Sequence, residues 1–186
     1  MRFRLHGLVL GVLFTGCTRP RTPTRPTTDC RTAIAAFATA DPARVTGLPR
    51  GCTLADVARE LTSLDASSRG SLGPEGGAFD VRYFKSAALA EIHAWLGADG
   101  AVALLDADTP PGVLDAFVAA LGEPEARLDY PRSGIVLEKA EVVWPAKGVV
   151  FVAGTGVKGL IRIGVFAPPT LVDYQARLRY KDIEPD

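Results

Sequence analysis

Few side chains in this sequence have the type and spacing that chemistry needs. After residue 16 there is one histidine, His93, so any Ser-His-Asp relay must run through it. It stands in Glu91-Ile-His-Ala-Trp-Leu96, with no G-x-S-x-G nucleophile turn nearby. Asp106, Asp108 and Asp115 are close enough in sequence to suggest paired carboxylates, but loop acids and helix caps explain them better. Gly154-Thr-Gly-Val-Lys-Gly159 has the G-x-G-x-x-G spacing of a dinucleotide loop. That chemistry requires a helix to begin at the glycines and hold a pyrophosphate on its N-terminus. The next residues are instead Leu160-Ile-Arg-Ile-Gly-Val-Phe166, a β-branched run, so the glycines read as a hairpin turn and no nucleotide is expected. A metal set is not expected either, with one histidine and no loop of calcium-hand spacing. The expectation is a non-catalytic domain without a cofactor.

The elements that would position these residues follow from periodicity. Thr53-Leu-Ala-Asp-Val-Ala-Arg-Glu-Leu61 and Thr170-Leu-Val-Asp-Tyr-Gln-Ala-Arg-Leu178 share Thr, Leu, Asp and the final Leu. Both read as helix starts with Thr as N-cap. Thr109 opens a third helix, in which Leu114, Phe117, Val118 and Leu121 recur at helical spacing before Gly122 and Pro124 stop it. A shorter helix is expected at 32–39. Strands are expected at 79–85, 90–96 and 101–107, then at 135–144, 149–153 and 160–166. Leu64 and Leu121 are 57 residues apart, and Gly100 and Gly159 are 59 apart. The rhythm predicts an α+β domain of two α-β-β-β repeats, residues 53–108 and 109–166, with a closing helix at about 170–180. Such units bury enough surface only together, as antiparallel sheet covered by helices on one face.

The start of the chain is of another kind. Arg2, Arg4 and His6 precede seven apolar residues, Leu8 to Phe14, too few to span a bilayer but enough for the core of a signal peptide. Thr15, Gly16 and Cys17 come next. The stretch Phe14-Thr-Gly-Cys17 resembles the lipobox of bacterial lipoproteins, with Phe14 where leucine is usual. The resemblance implies cleavage after residue 16, a diacylglyceryl group on Cys17 and anchorage in the cell envelope. Thr18 resembles the enteric pattern that sends lipoproteins to the outer membrane. An ordinary secretory signal with an incidental cysteine is the alternative. Residues 18–28 are Thr, Arg and Pro only, a segment unable to bury apolar surface and biased to polyproline II. Residues 17–29 therefore read as a lipidated cysteine and a tether, of roughly 30 Å at about 3.1 Å per residue. Its three arginines are suited to anionic headgroups.

With lipid on Cys17, Cys30 and Cys52 are left as an even pair in an oxidising compartment, and a disulfide between them is expected. Two buried free thiols are the alternative.

The domain itself, residues 30–186, holds about 157 residues, enough for one medium domain or two small fused ones. The whole chain has 21 basic and 21 acidic residues; cleavage after residue 16 removes Arg2 and Arg4 and leaves about −2. A near-neutral domain lacks the basic stripe that nucleic acid requires. The order of elements over residues 53–178 is similar to the tandem helix-plus-sheet repeats of β-lactamase inhibitory proteins. It also resembles the small lipoproteins of the outer-membrane β-barrel assembly machinery. No motif matches, so no residue role carries over.

A protein or envelope component is the expected partner, apart from the membrane that the anchor implies. Strand alternation sets Ile92, Ala94 and Leu96 toward the core, and His93 and Trp95 away from it. Likewise Ile161, Ile163 and Val165 face in, leaving Arg162 and Phe166 outward, where Tyr83 joins them if Phe84 points inward. Tyr83, His93, Trp95, Arg162 and Phe166 are thus the candidate docking face, since Trp, Tyr and Arg dominate binding hot spots. Trp95 as a satellite core residue is the alternative, while Trp144, in phase with Ala140 and Val142, belongs to the core. An envelope hydrolase and a structural lipoprotein supporting envelope assembly are the competing functions.

Overall fold

A computed structural model describes residues 29–109, 113–129, 139–154 and 161–180. Residues 1–28, which hold the signal, Cys17 and the tether up to Asp29, and residues 155–160 of the expected turn lie outside the described residues. So do residues 135–138, where the fourth expected strand was to begin. Helix α1 (Cys30–Ala38) starts where the Asp29 carboxylate accepts the Thr32 N–H at 2.8 Å. Helix α2 (Leu54–Glu60) starts on a reciprocal capping box between Thr53 and Asp56. Four strands come next: β1 (Thr62–Ser71), β2 (Ala78–Lys85), β3 (Ile92–Leu96) and β4 (Val102–Thr109). Then come α3 (Val113–Leu121), β5 (Ala126–Asp129), β6 (Lys139–Trp144), β7 (Val149–Gly154), β8 (Ile161–Phe166) and α4 (Leu171–Arg177). The class is α+β: all eight strands form one antiparallel sheet in the order β1-β2-β3-β4-β8-β7-β6-β5.

The element order differs from the expected α-β-β-β units. Each unit is a helix plus four strands, and the two meanders meet through their last strands, β4 against β8. In chain order α2 and α3 hold corresponding places, each ahead of a four-strand meander. The two strands absent from the sequence reading, β1 and β5, are the sheet edges. Thr62–Ser71 (TSLDASSRGS) is exposed along most of its length and Ala126–Asp129 alternates only between exposed and half-buried. A strand that packs little on either side has no need of apolar alternation, which is the signal that identifies strands. The Thr53/Thr170 match is likewise not a match of equivalent elements. It joins the opening helix α2 to the closing helix α4, and what they share is the cap: Thr170 accepts the Asp173 N–H, as Thr53 accepts that of Asp56.

One face of the sheet is covered by α1, α2 and α3. Ile34, Phe37, Val57 and Phe117 descend onto Phe84, Ile92, Leu105, Phe151 and Val165, all buried. Trp144 belongs to this core and donates its indole N–H to the Gly122 carbonyl at 2.9 Å. The Cys30–Cys52 disulfide, with Cα atoms 5.5 Å apart, staples the start of α1 to the residue before the α2 cap.

The other face packs Phe79, Leu104, Val143, Val150, Val152 and Phe166 against Leu72, Tyr174 and Tyr180. Here the cover is the chain's own C-terminal segment, α4 and the three residues after it. This face is concave. Leu72, just past β1, bridges Tyr180, while Arg179 Nη2 donates to the Asp129 carbonyl of β5 at 2.8 Å. Seven inter-strand gaps would place the edges of a flat sheet about 34 Å apart, at ~4.8 Å each. Consecutive residues, with Cα atoms about 3.8 Å apart, reach both ends only because the twisted sheet curls around them.

Candidate functional site

The concave face carries the polar residues that alternation sends away from the helices. His93 on β3 is paired with Tyr83 on β2 and with Asp106 on β4, and Asp106 is paired with Gly164 on β8. Asp106 is fully buried and acts as an acceptor hub. Its Oδ1 takes His93 Nδ1 at 2.6 Å. Its Oδ2 takes the Trp95 indole N–H at 2.7 Å and the Tyr180 hydroxyl at 2.9 Å. Arg162 lies 3.9 Å from Oδ1 and donates to Asp108 at 2.9 Å. A buried carboxylate persists only with such partners.

Gly164 leaves room for the hub. A Cβ there would stand 2.9 Å from a Val150 methyl, 3.0 Å from a Leu104 methyl and 3.2 Å from the Tyr180 hydroxyl, crowding the phenol's place. Gly70 does the same for Trp95, whose indole lies where a side chain at that position would be. The indole is also flanked edge-on by Phe79 and Tyr180, at 6.3 and 6.4 Å between ring centres. Glycines inside strands mark such close approaches. Gly164 interrupts a β-branched run and is legible on that ground.

The electrostatics follow from these contacts. Burial pulls the His93 imidazole down, but the hydrogen bond and charge of Asp106, with the bond to Glu91, outweigh it and hold the ring above its ordinary 6.5. Glu91 Oε1 sits 2.8 Å from Nε2, so both ring nitrogens face carboxylates and both are met as N–H donors only by the imidazolium. Burial, then the charge of Asp106, pushes the Tyr180 phenol well above its ordinary 10.0, so it stays a donor. Arg162 is also raised: burial opposes its charge, and Asp106, Tyr180 and Asp108 restore it. A second tie holds the tail nearby, where the Tyr180 backbone N–H donates to fully buried Glu141 at 2.9 Å.

The five candidate docking residues do share this face, as alternation requires. The face is not open. Phe166 is fully buried under Tyr174, ring centres 4.9 Å apart, and is withdrawn from any surface. His93 is buried, and Tyr83, Trp95 and Arg162 are half-buried. The reason is that the α4–Tyr180 segment, which the sequence presents only as a closing helix, lies over the aromatic groups left uncovered by α1–α3. Trp95 is a satellite core residue with a partly exposed edge. Asp106 and Asp108 are strand residues rather than loop acids, and Asp115 lies in the first turn of α3. Sequence reasoning missed Asp106 as the centre of the site, and Tyr180 and Glu141 as its companions, since pairing across strands has no local signature.

Comparison with protein-family models, curated sequences and solved structures gives no match. The site must be judged on its own chemistry. Among the described residues, no hydroxyl or thiol is bonded to His93; the nearest hydroxyl pair, Ser68 and Tyr83 at 2.8 Å, bonds internally. Protonated between two carboxylates, the ring would have no lone pair with which to act as a base. The described residues contain no group of three or more metal-ligating side chains.

Proposed function

We propose that this chain is a lipid-anchored protein of the bacterial envelope, with the outer membrane favoured, whose domain binds another protein and performs no catalysis. The observation that carries the binding half is the double engagement of His93. Two carboxylates on one ring favour the protonated form of the domain's one histidine, which suits a face that holds shape. Around this hub a half-buried rim of Tyr83, Trp95 and Arg162 lies beside two exposed acids, Glu91 and Asp108. Aromatic groups and arginine at the edge of a rigid, desolvated centre are the composition of a binding hot spot. The anchor half rests on the Phe14-Thr-Gly-Cys17 resemblance and on the tether of Thr, Arg and Pro. The Cys30–Cys52 bond agrees with an oxidising compartment.

Two measurements test it together. Cys17→Ser should move the protein from the membrane to the soluble fraction and abolish the acyl mass at its N-terminus. Arg162→Ala should lower the melting temperature, since it removes a cation beside buried Asp106, but leave the domain folded, while an envelope partner captured by the wild-type chain is lost. An unmodified N-terminus cut elsewhere would refute the anchor. A partner retained by both Arg162→Ala and Tyr83→Ala would refute the rim.

A further inference from the structure

Away from the rim, at the end of the sheet where β8 stops, lies an open cleft of about 560 Å³. Its floor is the start of β4, where Ala103 faces the α4 side and the Val102 side chain turns into the opposite core. One wall is the loop carrying Arg50, two residues before Cys52 and so held by the disulfide to α1. The other is α4, hung from Pro168 and Pro169 and presenting Asp173 and Arg177. The size lies within the ~300–1,000 Å³ of ligand clefts. Both walls are stiffened, one by a disulfide and one by two prolines that fix φ. Preorganised walls reduce the ordering cost of binding.

The charges are what select an occupant. Neither Arg50 nor Arg177 makes a hydrogen bond or ion pair among the described residues, although acids abound elsewhere on the molecule. Both border the same space. Asp173 also borders it, with one oxygen taken by the Thr170 hydroxyl at 2.8 Å and the other without a donor among the described residues. Two guanidinium forks attract an oxyanion, and their planar geometry matches a carboxylate. The single aspartate disfavours a doubly charged phosphate and accepts an N–H from the ligand. The apolar floor and prolines suit a small aliphatic side chain.

We infer that this cleft binds the C-terminal end of an extended peptide: its carboxylate at Arg50 and Arg177, its last amide N–H at Asp173, and its terminal aliphatic side chain over Ala103 and Pro168. The site is separate from the rim and does not depend on the anchor.

The test uses the full chain in detergent solution and a pool of acetylated tripeptides ending in Ala, Val or Leu. The pool is offered with free carboxylates, then as C-terminal amides, with inorganic phosphate as a third arm. Saturable binding with a dissociation constant below about 1 mM is expected for the free acids alone. Arg50→Gln and Arg177→Gln should each weaken it by roughly 10-fold, as loss of one charge-assisted bond does. The double variant should abolish it, with melting unchanged. The proposal is overturned by absence of binding, by amides binding as well as acids, by indifference to both arginine variants, or by phosphate binding equally well. If a single variant proves unstable, Arg50→Lys replaces it, and must retain part of the affinity by keeping the charge without the fork.

Discussion

The two faces of the sheet are built on opposite principles. The face under α1–α3 is an apolar jigsaw in which Phe117 and Phe151 meet at 4.6 Å and Trp144 finds a backbone carbonyl for its one polar atom. The concave face is tied down by Asp106 and Glu141, both fully buried, with a tyrosine, a tryptophan, an arginine and a histidine converging on the first. Apolar packing tolerates exchange of side chains of similar volume at low cost, whereas a buried acceptor is satisfied by one arrangement only. Stability therefore divides between the faces in kind. The helix face supplies magnitude, and the concave face fixes where the C-terminal segment lies.

The largest effect should come from the helix face. Phe151→Ala removes a fully buried ring between Phe117 and Trp144 and should cost about 3–5 kcal/mol in denaturant unfolding. A cost under about 1 kcal/mol would show that this face is not the main core. Reduction of Cys30–Cys52 should come next, at about 3 kcal/mol for a loop of this length, read from melting with and without reductant.

The concave face should respond less in magnitude and more in kind. Asp106→Asn keeps the shape but replaces a charged acceptor with an amide, and should cost about 1–3 kcal/mol. It should also flatten the pH dependence. His93 is raised above its ordinary 6.5, so its stabilisation is complete below pH 6.5 and is lost as pH rises through the higher folded value. Wild-type stability should therefore fall across that window relative to His93→Gln, and a parallel pair of curves would separate His93 from the hub. Smallest, Tyr180→Phe removes one donor and should cost about 1 kcal/mol. It should also speed hydrogen exchange in residues 171–180 while leaving α1–α3 unchanged, a contrast that would vanish if the two faces were one cooperative lattice.

Legibility in the sequence divides along the same line. Apolar alternation places Ile92, Ala94 and Leu96 under the helices and sets Tyr83, His93, Trp95, Arg162 and Phe166 on the opposite face, because period-two patterning is a local property. The edge strands β1 and β5 carry no such pattern, since neither buries an apolar face. The closure of the concave face is hidden for a different reason. Tyr180 reaches Asp106 across 74 positions and Glu141 across 39, and neither residue's neighbours record that meeting. Gly164 is the one local trace, a glycine whose lack of a Cβ admits the phenol.

The protonation state of His93 decides whether the concave face is structural or chemical. Nitrogen-15 NMR of the ring in the folded chain, at pH 6.5 where a free imidazole is about half protonated, distinguishes the two cases. The Asp106 hub predicts a ring protonated on both nitrogens, with slowly exchanging N–H protons that are lost from Nδ1 in Asp106→Asn. A neutral ring with a bare Nε2 at that pH, the form a general base requires, would contradict it and return the concave face to the candidates for catalysis.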